Sequence, residues 1–357
     1  MAAAGLRTAI VDIHTHVYLP RYMDLLRQRS TVPRAFKNEK GEERLLILPS
    51  EDVDLSTRFG RPIGPEYYDI NVKLDFMKRH GISKSIISIA NPWLDFLPPT
   101  TSTPLATSLN NDLQHLCTSN PSLYAFGILP TTVPSMVAEI HRIATLSRLK
   151  GVIISTLGAG NGLDDDAMDP VWGALEEKGL TAFVHPHYGV GDAAFGGRAN
   201  GHVMGLALGF PFETTVAVSR LILAGVFDRY EKLKLLLAHS GGTLPFLAGR
   251  LDSCVAHDPV VKTRLKHPPS RYLRKLYYDA VVYHPSGVAA TVDFLGGCEN
   301  MMFGTDNPFF PPLNESPSTT RWESVDTNLS AISSALGDVK EQEMVLGGNA
   351  MRIFDLE

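Results

Sequence analysis

Apolar residues along the chain gather into eight short runs, each followed by text of helical character. The runs occupy residues 9–18 (AIVDIHTHVY), 83–90 (SKSIISIA), 123–130 (LYAFGILP), 149–158 (LKGVIISTLG), 181–189 (TAFVHPHYG), 233–241 (LKLLLAHSG), 276–283 (LYYDAVVY) and 301–310 (MMFGTDNPFF). Rich in Val, Ile, Leu and aromatics, they predict buried strands. Helical patterns lie between them, among others at 70–80, 136–146, 170–179 and 213–227. Strand–helix alternation implies a parallel sheet covered by helices. Eight such units predict a (β/α)8 TIM barrel, one domain spanning 1–357. An open doubly wound sheet would want a glycine-rich turn after the first strand; that position holds HTHVYLP.

Two intervals exceed ordinary loop length. Residues 20–65 follow strand 1 and include a hairpin-like segment, RAFKNEKGEERLLILP, turning at 38–41. Residues 188–211 follow strand 5 and are glycine-rich. Both leave the C-terminal ends of strands, where barrel active sites are built, so both are expected to wall or cover a site.

Composition narrows the chemistry. With 44% hydrophobic and 20% charged residues the chain is ordinary globular material. A net charge of -5 argues against a nucleic-acid partner, which would need a basic face. No apolar run reads as long enough to span a bilayer, and the start, MAAAGLRTAIVDIH, lacks a secretory pattern. A cytoplasmic enzyme is expected. The three cysteines, Cys117, Cys254 and Cys298, are far apart and form no thiolate cluster. Any metal must therefore use nitrogen and oxygen ligands.

Twelve histidines can supply the nitrogen. His14 and His16, two apart on a strand, point to the same side. His185 and His187 repeat the spacing at the end of strand 5. His185 directly follows the apolar run and is the preferred ligand; His187 is expected behind it or along the pocket. Asp306 ends strand 8 with no adjacent Lys or Arg to pair it. A buried carboxylate needs a partner, so it either binds a cation or caps the Asp-Asn-Pro turn. His239 ends strand 6 beside small residues and could be a further ligand or a general acid/base. Together, His14, His16, His185 and Asp306 form the expected site for one divalent ion.

The order HxH, His, His, Asp on strands 1, 5, 6 and 8 resembles the amidohydrolase superfamily. The phrases ETTVAVSRLILAGVFDR, LLLAHSGGTLPFLAGR and FGTDNPF resemble its α-amino-β-carboxymuconate-ε-semialdehyde decarboxylase family. VDIHTHVYLP, IANPWLDF, HPHYG, LALGFPFETT and FFPP are similar to a fungal subgroup of that family, the uracil-5-carboxylate (isoorotate) decarboxylases. The resemblance covers nearly the whole chain. It implies a non-oxidative decarboxylase of a small-molecule carboxylate, foremost uracil-5-carboxylate and alternatively a hydroxybenzoate, a methylsalicylate or carboxymuconate semialdehyde, with one zinc ion per subunit and no organic cofactor; a mononuclear metal-dependent hydrolase is the competing reading. His239 would be the catalytic imidazole, with Asp306 sharing in proton delivery. Arg61 would meet the substrate carboxylate or a ring oxygen, and Asn91 and Phe309 would hold the ring. Arg250 resembles an arginine that reaches a neighbouring subunit's site, implying a homodimer. The subgroup reads TDHPFF where this chain has Asn307 in place of the histidine, a swap expected to alter substrate contacts. Binuclear relatives place a carbamylated lysine at the end of strand 4; here that end is Ser155-Thr156-Leu157 and the nearest lysine, Lys150, lies at its start. One metal ion is expected.

Overall fold

A computed structural model describes residues 9–48, 51–52, 57–196, 198, 200–313 and 315–357. Eight strands form one parallel sheet in the order β1-β5-β6-β7-β8-β9-β10-β11. They are β1 (Ile10–His16), β5 (Ile82–Ser88), β6 (Leu123–Ile128), β7 (Leu149–Ser155), β8 (Thr181–His185), β9 (Lys234–Leu237), β10 (Tyr277–Asp279) and β11 (Met301–Met302). The sheet nearly closes on itself. Ile13 N donates to Phe303 O at 3.1 Å, and His16 N to Asn307 O at 2.6 Å. Thr15 and Asn307 form a parallel bridge there. The (β/α)8 barrel read from the sequence is thus present.

The predicted strand runs are longer than the laddered segments, above all for β10 and β11. Their last residues lie beyond the paired ladder, after the C-terminal ends of the strands. Helix Ile70–His80 matches the periodicity residue for residue: Asp69 caps it through Asn71 N, and Gly81 ends it in the left-handed conformation. The expected helix at 213–227 begins earlier. A π turn, Gly205–Gly209, leads directly into helix Phe210–Leu223, with Pro211 at the junction of the two segments. The merged Gly205–Leu223 helix, 19 residues of mean hydropathy 1.4, is long and apolar enough to cross a membrane, which corrects the sequence expectation on this point. Its Glu213 is nevertheless tied to barrel loops, and Thr214, Ala217, Val218, Leu221 and Ile222 are buried.

Residues after β1 form the helix Pro20–Arg27 and a small antiparallel sheet of β2 (Arg34–Lys37), β3 (Glu43–Leu46) and β4 (Arg61–Pro62). The β2–β3 hairpin turns where expected. Asn38 Oδ1 accepts from Lys40 N at 3.0 Å and Glu42 N at 2.9 Å, and Gly41 takes φ 77. The barrel interior is filled by side chains such as Phe126 and Phe183, both without exposure. Burying one such ring contributes about 1.5–3 kcal/mol.

Candidate metal and catalytic site

On β1, Asp12, His14 and His16 share one face, so both imidazoles enter the barrel mouth. Gly304, at the end of the last barrel unit, passes close enough that a Cβ there would lie 2.7 Å from His14 Cβ. No larger residue allows that approach. His185 comes from the end of β8, with Phe183 beneath it and ring centroids 5.7 Å apart. Asp306 sits in the turn after β11 at φ 58, its N–H donating to His14 O at 2.8 Å.

The donor atoms of His14, His16, His185 and Asp306 all lie within 4.8 Å of one another. His14 Nε2 is 3.2 Å from His16 Nε2. Asp306 Oδ1 is 3.4 Å from His14 Nε2 and 3.6 Å from His16 Nε2. Ligands about 2.1 Å from a tetrahedral ion are about 3.4 Å apart, so these four fit one divalent cation. The outer nitrogens are already held. His14 Nδ1 meets Asp279 Oδ2 at 2.6 Å, His16 Nδ1 meets Ser88 Oγ at 2.9 Å, and His185 Nδ1 meets Pro186 O at 2.8 Å. Such partners fix the tautomer and aim the opposite nitrogen at the metal. His185 Nε2 is buried with no hydrogen-bond partner among the described residues, as an unserved ligand should be.

The electrostatics agree. Burial opposes a charge on His14, but Asp306 and Asp279 outweigh it and raise its pKa to about 10. Burial pushes His16 down to about 4 and His185 well below the ordinary histidine range. Asp306 is held well below the usual carboxylate range: burial would raise it, yet His14, His16 and His239 prevail. The cluster therefore retains positive charge on one imidazole, the role a cation would take over. Asp306 pairs with no Lys or Arg among the described residues; its ion-pair partners are His14, His16 and His239.

His239 lies at φ 53 in the turn after β9, its N–H donating to Asp279 Oδ2 at 2.9 Å. Its Nε2 is 3.9 Å from Asp306 Oδ2, and its ring centroid is 5.2 Å from that of His14. It stands beside the four ligands, facing the carboxylate. Phe309 presents its ring 5.7 Å from His16 and 5.9 Å from Tyr67. Asn91 is buried, with its amide nitrogen committed to His187 O at 2.9 Å and its carbonyl accepting from Tyr18 at 2.9 Å. Its amide oxygen and the second N–H of its amide nitrogen have no partner among the described residues. Arg61 donates to Glu51 at 2.6 Å through one terminal nitrogen, while its Nε is buried without a partner among the described residues. Arg250 is exposed and lines a surface groove with Leu247 and Cys254.

His187 stays outside the cluster. It is fully buried against Trp93 and Tyr188 and pairs with Asp95. Asn307 is also turned from the metal. Its Oδ1 accepts from the buried Lys73 at 2.6 Å, and Lys73 also bonds Thr15. The residue standing in place of the subgroup's histidine thus fastens the barrel seam. Asp279, Lys73, Glu51 and Glu213 carry parts the sequence reading did not assign. Glu213 accepts from His187 N at 3.0 Å, Gly189 N at 2.6 Å and Thr156 Oγ1 at 2.6 Å, fixing the loop after His185. Asp279 could have been flagged by the signal that flagged Asp306, a lone carboxylate in an apolar run.

A parallel barrel with three imidazoles and one carboxylate converging at its C-terminal mouth defines a metal-dependent enzyme of the amidohydrolase type. The amidohydrolase family model matches residues 11–356, and the chain belongs to that family. The crystal structure of apo isoorotate decarboxylase from Metarhizium anisopliae superposes with a TM-score of 0.94 at 41% identity, covering 98% of each chain. The 2-amino-3-carboxymuconate-6-semialdehyde decarboxylase of Dictyostelium discoideum is 27% identical, covering 98% of this chain and 93% of that protein. The 6-methylsalicylic acid decarboxylase of Penicillium expansum is 26% identical over 85% of this chain and 86% of its own length. The protein is a carboxy-lyase, as these relatives are.

Proposed function

We propose that the protein decarboxylates uracil-5-carboxylate, giving uracil and CO2, with one zinc ion held by His14, His16, His185 and Asp306. The observation that carries this reading is the convergence of those four ligands beside His239. The likeness to the Metarhizium enzyme supports the choice of ring. When bound, the ion supplies Lewis acidity and a fixed point for an anionic substrate oxygen.

Loss of CO2 directly from an sp2 carbon would leave a poorly stabilised anion. Protonation at C5 first avoids this: a C5–H bond forms, and the C5–carboxylate bond then breaks. Its electron pair restores the C5–C6 double bond, and CO2 departs. The proton comes from the His239–Asp306 pair, whose facing atoms are 3.9 Å apart. Arg61 offers its free Nε–H to the substrate anion, a charge-assisted bond. Phe309 closes one side of the ring pocket and the amide oxygen of Asn91 meets a ring N–H.

The test is to incubate zinc-loaded protein with uracil-5-carboxylate, 6-methylsalicylate and 2-amino-3-carboxymuconate semialdehyde, following CO2 and the decarboxylated ring. Fastest release from uracil-5-carboxylate is expected; a preference for 6-methylsalicylate, the acid named for the Penicillium relative, would move the assignment to a benzoate ring. A homodimer belongs to the same reading. The Gly205–Leu223 helix is only 28% buried and leaves Leu208, Phe212 and Val216 uncovered, and Phe246 is 85% exposed. Arg250 lies along the adjoining groove. Light scattering at micromolar concentration should give twice the chain mass; a monomer would remove this part.

A further inference from the structure

Tyr283 follows β10 by four residues and lies at the barrel mouth. It is held in the left-handed region at φ 55, where a bulky side chain is an outlier, and such outliers concentrate at functional sites. Two contacts keep it there. Its N–H donates to Asn328 Oδ1 at 2.9 Å, and its ring lies edge-on to Phe310, with centroids 5.6 Å apart. Asn328, fully buried, also reaches Gly304 O, two residues before Asp306.

The hydroxyl is the unusual part. It is buried, and no hydrogen-bond partner serves it among the described residues. Buried tyrosine hydroxyls ordinarily find one. The carboxylates within its electrostatic reach are Asp306, Asp279 and Asp12, and Asp306 acts most strongly. Burial first, and then these carboxylates, push the phenol far above the usual tyrosine range, so it stays neutral and remains a donor. A donor without an acceptor among the described residues, within electrostatic reach of a metal-ligating carboxylate, is matched to a ligand that brings anionic oxygen.

We infer that Tyr283 is a substrate-contacting residue whose hydroxyl donates a hydrogen bond to the departing carboxylate of the bound acid. The inference rests on the decarboxylase reading for the identity of that acid. The carboxylate is still anionic while C5 takes up its proton, so this bond is made equally in the bound substrate and in that transition state. Tyr283 therefore contributes to binding and to selecting an acid over its decarboxylated product, and not to the rate of the protonation step.

Tyr283→Phe keeps the ring and its packing and removes only the hydroxyl. KM for the acid should rise about tenfold or more, the size of a hydrogen bond to a charged group, while kcat stays within about threefold. Thermal stability of the ligand-free variant should equal or exceed that of the wild type, because the hydroxyl removed there is unsatisfied. A structural hydroxyl would instead lower the melting temperature by several degrees. An unchanged KM with the wild type turning over overturns the inference, as does a clear loss of ligand-free stability. If the wild type turns over none of the acids, the substrate reading falls separately, and the melting temperature still judges Tyr283.

Discussion

Asp279→Asn changes one oxygen to an NH2 group and so tests whether this carboxylate sets the tautomer of His14. In the wild type, Oδ2 meets His14 Nδ1 at 2.6 Å and accepts from His239 N at 2.9 Å, while Oδ1 accepts from Ser240 N at 2.7 Å and Val281 N at 3.1 Å. An asparagine can place its oxygen on only one side. With the oxygen toward Ser240 and Val281, the NH2 faces His14 Nδ1, which must then accept. His14 would carry its proton on Nε2, the atom that has to face the metal. With the oxygen toward His14, the NH2 confronts two backbone donors instead, each costing about 1–3 kcal/mol when left unsatisfied. Either arrangement weakens metal binding. Removing an outer partner of a ligating histidine typically costs about 10–100-fold in affinity, equivalent to about 1.4–2.7 kcal/mol. The assay is a zinc titration against a competing chromogenic chelator, with circular dichroism confirming the fold. Affinity within about threefold of the wild type would refute the argument that Asp279 orients His14.

Exhaustive dialysis against a chelator should abolish decarboxylation and readdition of zinc should restore it; full activity in protein shown to be metal-free by atomic absorption would contradict the role given to the four ligands. His239→Ala should lower kcat by about 10²–10⁴ with the metal still bound, and a variant turning over at the wild-type rate would rule out His239 as the acid/base. Glu51→Gln probes acid stability. Burial alone would raise the Glu51 pKa, but bonds from His202, Arg61 and Leu48 N bring it from 4.5 to about 2. Below about pH 4.5 the unfolded chain takes up a proton that the folded protein refuses, so stability falls with pH, by about 3 kcal/mol in total from this group. Urea unfolding from about pH 5 down to about pH 2 should show the wild type losing this much more than Glu51→Gln; parallel losses would exclude the linkage.

The metal ligands were legible because each carries its own local signal. His14 and His16 sit two apart on an apolar strand, His185 ends another, and Asp306 is a carboxylate with no cation beside it in sequence. The residues that make those ligands competent were not, because their partners are remote. Asp279 lies 265 positions from His14, and Lys73 lies 234 from Asn307. Lys73 reads in sequence as an ordinary polar position of an amphipathic helix. Only barrel closure brings it, fully buried, against Thr15 and Asn307. Burial lowers its pKa to about 8, with Asp12 opposing that fall. Helix Ile70–His80 was bounded correctly because Asp69 and Gly81 cap it through neighbouring residues. The start at Gly205 was missed because glycines and Pro211 read as loop, while tertiary packing carries the helix through them.

The same remoteness explains how the mouth holds its strained backbone. His239, Tyr283 and Asp306 all have positive φ, a conformation costly for residues with side chains. In each the backbone N–H is bound to a buried acceptor: His239 to Asp279 Oδ2, Tyr283 to Asn328 Oδ1 and Asp306 to His14 O. One of those acceptors, Asp279, also orients a ligand ring, and another belongs to the ligand residue His14 itself. Backbone geometry and metal geometry are therefore coupled: an alteration that releases one strained turn also misdirects a ligand. Such coupling keeps the site pre-organised by the barrel before any ion or substrate arrives, because the ligands have few alternative positions to occupy.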